Sequence, residues 1–442
     1  MPPCTPPDAD PAGAELIAAR PHLRMHAMDG LSIEDVPLNR IADAVGTPSW
    51  VYSVATMRAR AQGLRTALAD AGLNVSLHYA MKANDHLAIL RVFRAEAFGA
   101  DVVSGGELDR ALTAGIAPAH IVYSGVGKSE HELRRALGAG VGQINVESAE
   151  ELEMLSALAH AMGCTARIAL RVNPDVDAAT HAKISTGRAR DKFGIHWADA
   201  AALYAHAATL PAIEPVGVAT HIGSQIMSLA PFRAAYALVA KLVTELRAAG
   251  RTVRSVDCGG GLGVPYRNEP VPGPAGLAGV LRAAFHNLDV QLLLEPGRWL
   301  VAPAGVLLCS VVLTKRSAGT RFVVLDAAMN DLVRPALYEA WHGIVPVSAA
   351  DFVRPAEPAD VVGPVCESGD TFARGRALPA LARNARVAIL DAGAYGSVMS
   401  STYNARPLAA EVLVDGERWS VIRARQSAGA LWQGESIPDF VA

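Results

Sequence analysis

The sequence predicts an α/β fold, a (β/α)8 barrel of the TIM type joined to a second, mainly β domain of barrel-like or sandwich-like form. Three observations predict it. Over the first two-thirds of the chain, short β-branched and apolar runs alternate with Ala/Leu/Glu/Arg-rich stretches of helical spacing. Polar residues capable of chemistry fall just behind those runs, where such a barrel gathers its functional loops. Beyond Arg298 the helical stretches thin out, and strand-like runs follow one another across Pro/Gly turns.

Composition bounds the reading. The 442 residues exceed one ordinary domain. With 51% hydrophobic and 19% charged residues, the chain has material for a large core and too little charge for a disordered one. A net charge of -3 without a basic stripe argues against a nucleic-acid or membrane-surface partner and favours a small-molecule ligand. The cysteines Cys4, Cys164, Cys258, Cys309 and Cys366 are odd in number and lack CxxC spacing, so neither a disulfide framework nor a metal site is expected. A reducing cytoplasm fits. The Pro-rich start MPPCTPPDADPAG has neither the basic flank nor the apolar core of a signal peptide, and no later run is long and charge-free enough to span a bilayer. Residues 1–14 are expected to form a disordered tail.

The barrel strands begin near Val75 (VSLHYA), Ala100 (ADVV), His120 (HIVYS), Gln143 (QINVE), Ala166 (ARIALRV), Val216 (VGVATHI), Val253 (VRSVDC) and Val290 (VQLLLE). Behind them, in the same order, stand Lys82, then Ser104 to Glu107, Ser124 and Gly125, Glu147 and Ser148, Arg171 and Asn173, His221, Gly259 to Gly261, and Glu295 to Arg298. Polar residues scattered at random through loops would not cluster on one side in this way. The connection from Pro174 to Ile195 has the length and polarity of a lid or of a disordered loop. The barrel is expected over residues 47–302. GVLLCSVVLTKR, RFVVLDA, RVAILDA, AEVLVD and RWSVIRA supply strands of the mainly β domain, residues 303–442 together with 15–46, since residues 31–46 could pack back on the later segment and add a strand.

Certain of these residues suit one chemistry. Lys82 stands at the end of a buried strand, where desolvation favours the neutral amine that forms a Schiff base, although a lysine there is more often a solvated terminus. Gly259-Gly260-Gly261 lets backbone N–H groups converge on a phosphate, or makes a tight turn. Loops after the seventh and eighth strands commonly form the phosphate cradle of such barrels, and Glu295-Pro296-Gly297-Arg298 follows the eighth. Glu295 offers the carboxylate that keeps a pyridine nitrogen protonated. His221 could stack on a cofactor ring or be a core histidine satisfied by a backbone partner, and Ser224 could bond a phosphate. Cys366 sits beside Glu367 and Asp370 in a turn-rich stretch, where an inert buried thiol is the ordinary reading. Arg334, Tyr338 and Tyr403 suit a carboxylate or phosphate.

Taken in order, YAMKAN, SGGEL, HIGSQ, GGGLG, EPGR, MNDLVRP, CESGD and DAGAYG with a later Tyr-Asn pair resemble the diaminopimelate decarboxylase family of fold-type III, alanine-racemase-like enzymes that depend on pyridoxal 5'-phosphate (PLP). The resemblance runs from about Asp43 to Glu435 and includes RVNPDVDAATHAKISTG and KFGI. It implies that Lys82 forms the Schiff base with PLP, that Asp101 lies near Lys82, that His221 stacks on the ring and that Glu295 pairs with the pyridine nitrogen. Ser224, Gly261, Pro296, Gly297 and Arg298 would line the phosphate site. Arg298, Arg334 and Tyr338 would bind the substrate's distal carboxylate and Glu367 its distal ammonium, with Tyr403 between cofactor and substrate and Cys366 as acid. The CESGD segment would come from a partner subunit, which implies a homodimer with a shared active site. The implied reaction is decarboxylation of meso-2,6-diaminopimelate to L-lysine and carbon dioxide, the last step of lysine biosynthesis. A related enzyme acting on ornithine, arginine or carboxynorspermidine is the alternative.

Overall fold

The computed structural model describes residues 10–178, 181, 186–187 and 191–441. They form two compact units, one drawn from residues 57–264 and 270–300, the other from 10–56, 265–269 and 301–441.

The first unit is a closed parallel barrel. Its strands, in chain order, are β1 (Val75–Ala80), β2 (Gly99–Val102), β3 (Ile121–Tyr123), β4 (Gln143–Val146), β5 (Ala166–Asn173), β6 (Ile213–Ala219), β7 (Ser255–Asp257) and β8 (Gln291–Leu294). Each pairs in parallel with the next, and β8 returns to β1 through Leu292 opposite Val75 and Leu294 opposite Leu77. A further two-residue strand, Ile195–His196, pairs with the end of β5. β6 starts three residues earlier than the VGVATHI run because Ile213, Glu214 and Pro215 already pair with β5 before a register shift at Pro215/Gly217.

Side chains alternate across each strand. Tyr79 stacks outward on Phe93 of the helix Leu87–Ala95 (ring centroids 4.3 Å apart). Residues of the opposite parity form a polar barrel interior: Gln143 Nε2 donates to Asn145 Oδ1 (2.8 Å), and Asn145 Nδ2 donates to Ser124 Oγ (3.1 Å) and Asp257 Oδ2 (3.0 Å). Most buried polar groups are bonded in this manner.

The second unit is mainly β. Its sheet runs Thr371–Pro379, Ala356–Val362, Thr320–Leu325, Gly305–Ser317, Ser49–Ser53, Ala410–Asp415 and Arg418–Arg423, with Arg386–Ile389 joining Gly305–Ser317 to Ile344–Pro346. Leu31, Ile33, Leu38, Ile41, Val51, Leu308, Val345, Leu390 and Val412 are among the residues of its core. Of the early segment, Gly30–Ile33 sits in a small sheet with Leu23–His26 and Val36–Pro37, and residues 38–45 form a helix. The early strand in the large sheet is Ser49–Ser53, antiparallel to Gly305–Ser317 and parallel to Ala410–Asp415. Residues 47–56 therefore belong to the β unit, where the expected boundary at 47 gives them to the barrel.

One further expectation changes, and another falls partly outside the described residues. Of the disordered tail expected over residues 1–14, residues 1–9 lie outside the described residues. The remainder is ordered: Asp10 pairs with Arg376 (3.1 Å), and a helix spans Gly13–Ala18. Of the lid or disordered loop expected between Pro174 and Ile195, residues 179–180, 182–185 and 188–190 lie outside the described residues.

A buried ion pair ties two barrel loops together. Lys128 Nζ, with its side chain 1% exposed, donates to Gly125 O (2.8 Å), Asn145 O (2.7 Å) and Glu151 Oε1 (2.6 Å). Removing one partner of such a pair strands the other charge. Lys128→Met is expected to destabilise the barrel by about 3–5 kcal/mol, and adding Glu151→Leu should recover part of the loss. Thermal and urea melts of both variants check this; a Lys128→Met protein that melts like the parent would refute it.

Candidate active site

The residues behind the barrel strands gather at one rim. Lys82 lies in a short 3-10 turn, Met81–Ala83, directly after β1, and its Nζ is 2.5 Å from Oδ2 of Asp101, a fully buried residue of β2. Asp101 is opposite Ala80 in the parallel pairing, which fixes the reach between the two side chains. The loop after β8 closes on the same spot: Ala80 N–H donates to Pro296 O (3.1 Å), and a Cβ at Gly297 would come within 3.1 Å of the Cβ atoms of Ala80 and Ala83. Glycine is what lets that loop lie against the lysine turn.

The triple glycine serves a similar close approach. A Cβ on Gly259 would reach Thr220 O at 2.5 Å, one on Gly260 would reach Glu295 O at 2.2 Å, and one on Gly261 would reach Gly223 O at 2.5 Å. The loops after β6, β7 and β8 thus pack main chain to main chain. Gly261 has φ +107, a conformation that side-chain-bearing residues avoid. Beside it, Arg298 donates through Nε (3.1 Å) and Nη2 (2.9 Å) to Ser224 Oγ. A hydroxyl, an arginine and a glycine loop at one rim make a donor set suited to phosphate.

His221 accepts the Gly260 N–H on Nδ1 (3.1 Å). Burial, reinforced by the nearby Lys82 and Arg171 charges, drives its pKa well below the ordinary imidazole value, so the ring is neutral. The backbone-satisfied alternative for this histidine is thus part of its geometry.

Glu295 is the most unusual group of the rim. Its residue is 5% exposed, its Oε1 is buried without a hydrogen-bond partner among the described residues, and Asp257 bonds the carboxyl. Burial first, then the Asp101 and Asp257 charges, raise its pKa well above the carboxylate range, while Lys82 lowers it. A cationic N–H placed against Oε1 would supply both the missing bond and a countercharge. A protonated pyridine nitrogen is such a group, so the rim fits PLP.

In the β unit, Arg334 opens the helix Arg334–Tyr338 and is 5% exposed, with Tyr338 one turn on and half-buried. Tyr403 OH donates to Glu367 Oε2 (3.2 Å), and Cys366 N–H donates to Asn404 Oδ1 (2.9 Å). Asp370 shapes this turn by accepting the Val365 and Met329 N–H groups, each at 2.7 Å. Cys366 is exposed, not the buried inert thiol that its surroundings in sequence suggested.

Sequence reasoning passed over Asp257 and Asn145. Asp257 is only a letter of the VRSVDC run, and nothing in spacing reveals that Asn145, 112 positions away, donates to it. The one signal was parity: both are polar at positions where their strands present side chains to the barrel interior.

Fold and rim together define a PLP-binding barrel enzyme, and the comparisons agree. Residues 54–302 match the family model for the pyridoxal-binding domain of pyridoxal-dependent decarboxylases. The chain is 48% identical to a diaminopimelate decarboxylase of Zymomonas mobilis, over 93% of this chain and 98% of that protein, and 47% identical to one of Pseudomonas aeruginosa, over 92% and 97%. Among solved structures it is similar to a diaminopimelate decarboxylase from Helicobacter pylori complexed with L-lysine (TM-score 0.86, 40% identity, 90% of this chain and 98% of that one). It is also similar to one from M. jannaschii with L-lysine (TM-score 0.90, 34% identity, 96% and 99%). The chain belongs to the diaminopimelate decarboxylase family of PLP-dependent decarboxylases.

One group near the rim links pH to stability. Glu107, in the helix Gly105–Thr113 capped by Ser104, accepts the Val103 N–H (2.8 Å), yet burial pushes its carboxyl up to about 7 against a usual 4.5. A folded-state value above the unfolded one contributes stability that is complete below about pH 4.5 and is lost as pH rises through about 7. Glu107→Gln, neutral throughout, should therefore gain relative to the parent between those limits. Melting curves over this range test it, and parallel pH profiles for the two proteins would sink it.

Proposed function

We propose that the protein decarboxylates meso-2,6-diaminopimelate to L-lysine and carbon dioxide with PLP as its cofactor, the last step of lysine biosynthesis. The observation that carries this is the buried Glu295 carboxyl, short of one partner, at the rim that also holds Lys82. When bound, PLP supplies the electron sink for the pair released as carbon dioxide leaves. Lys82 would hold the cofactor covalently, oriented by Asp101. Glu295 would keep the pyridine nitrogen protonated, and neutral His221 would lie against the ring face. Ser224, Gly261, Pro296, Gly297 and Arg298 would form the phosphate site, and Arg298 would also reach the substrate.

Substrate choice rests on the end of the molecule that does not react. Arg334 and Tyr338 would take its carboxylate, Glu367 its ammonium, and Tyr403 would stand between cofactor and substrate. Cys366 or Lys82 would return the proton to Cα. Ornithine would offer Arg334 no carboxylate, and an unmatched buried polar group costs on the order of 1–3 kcal/mol, more when charged. The exposure of Cys366, Glu367 and Tyr403 in a single chain supports a homodimer in which this turn completes a neighbouring subunit's site. The free cysteines Cys164, Cys258, Cys309 and Cys366 are compatible with a cytoplasmic enzyme, and no helix among the described residues is long and apolar enough to cross a membrane.

Carbon dioxide release from a panel of diamino acids, with and without added PLP, tests the reaction. Diaminopimelate should be the preferred substrate; preference for ornithine or arginine would overturn the substrate, and no release at all would overturn the chemistry. Borohydride reduction followed by peptide mapping should fix the coenzyme on Lys82 and nowhere else. Arg334→Ala should raise the KM for diaminopimelate by about tenfold or more, and a normal KM would remove Arg334 from the substrate site.

A further inference from the structure

Arg334 does not set its own direction. Its Nη1 lies 2.8 Å from His342 Nε2, and its Cζ stands 4.8 Å from the centroid of the Tyr266 ring. A guanidinium only donates hydrogen bonds, so His342 Nε2 must be the acceptor and carry no proton. The ring proton then sits on Nδ1, which donates to Leu390 O at 2.8 Å. Both ring nitrogens are assigned by their partners, and the imidazole is neutral.

The surroundings hold this arrangement firmly. His342 is 1% exposed, and its carbonyl accepts from Arg376 Nη1 (2.6 Å). Arg376 in turn pairs with Asp10 and lies over the Trp341 ring at 4.3 Å. Tyr266 meets the imidazole edge-on, with centroids 5.4 Å apart and planes at 75°. The Tyr266 carbonyl accepts from Arg20 Nη2 (3.2 Å), and Arg20 pairs with Asp391, the neighbour of Leu390.

We propose that His342, supported by Tyr266, is a positioning residue for substrate specificity, fixing the plane in which Arg334 presents its guanidinium to the substrate's non-reacting carboxylate. The assignment rests on the reading of Arg334 given above. Its physical logic lies in the partner's charge. A carboxylate at position 342 would orient the guanidinium equally well, but it would neutralise the charge that attracts the substrate. An imidazole whose Nε2 is kept unprotonated by the guanidinium, and whose one proton is fixed on Nδ1 by Leu390, supplies direction and adds no negative charge.

The test uses the full-length holoenzyme. His342→Leu should raise both the KM for diaminopimelate and the inhibition constant of L-lysine, which retains the same carboxylate, on the order of tenfold. The kcat should change less than about twofold. His342→Gln, whose amide can accept from Arg334 and donate to Leu390, should restore both constants. Arg334→Ala separates the two levels of the argument: a normal KM there removes Arg334 and this proposal with it. A raised KM in Arg334→Ala beside an unchanged KM in a His342→Leu protein that melts like the parent overturns the positioning role alone. Loss of kcat without a rise in KM, or no rescue by glutamine, also overturns it. Should His342→Leu fail to fold, Tyr266→Leu is read in its place, a raised KM supporting the proposal and an unchanged one overturning it.

Discussion

The barrel unit depends on the ladder that joins its first strand to its last. Leu292, Leu293 and Leu294 pair with Val75, Ser76 and Leu77, and the register runs on through the bond from Ala80 N–H to Pro296 O. Without that closure, Lys82 and Glu295 are more than two hundred residues apart with nothing to relate them. With it, every strand's C-terminal end lies on one rim, and the side chains there face one another by necessity of the pleat. The glycines follow from the same constraint, since loops brought this close leave no space for a Cβ at Gly260 or Gly297.

Closure also brings charges together that burial penalises. Asp101 and Asp257 surround Glu295, and all three are at most 5% exposed. One cation, Lys82, serves this cluster by its pair with Asp101, and the amide of Asn145 and the N–H of Gly259 serve Asp257. Glu295 is left with a buried oxygen that no other described residue bonds. A cation placed against that oxygen would relieve the arrangement, which is the ground on which Glu295 is proposed to face the ring nitrogen.

Much of this was legible in the sequence, for reasons that differ by element. Long apolar runs such as VSLHYA and ARIALRV announce their strands because both faces are buried and β-branched residues suit them. Lys82, the three glycines and Glu295 could be placed because a barrel fixes where strand ends go. The small sheet of Leu23–His26, Gly30–Ile33 and Val36–Pro37 was not legible, since runs of two to four residues carry no period. Ser49–Ser53 was misassigned because its serines obscure an apolar pattern, although all five residues are buried between two strands from far along the chain. Asp10 looked like tail for a related reason: its order comes from Arg376, a partner no local pattern announces.

The least legible feature is the use of histidine as an uncharged acceptor, and it recurs in both units. In the barrel, His221 takes the Gly260 N–H, and its ring is kept neutral by burial and by the positive charges of Lys82 and Arg171. In the β unit, His342 takes an N–H of Arg334, which requires Nε2 to be unprotonated, and the carbonyl of Leu390 fixes the remaining proton on Nδ1. A carboxylate could accept either bond more strongly. At Gly260, however, it would place a negative charge beside a loop whose donors suit a phosphate, and at Arg334 it would cancel the charge proposed to take the substrate's carboxylate. Where a polar group must be aimed at an anion yet to arrive, the neutral acceptor is the one that orients without competing, and only the folded partners reveal which histidines are held in that state.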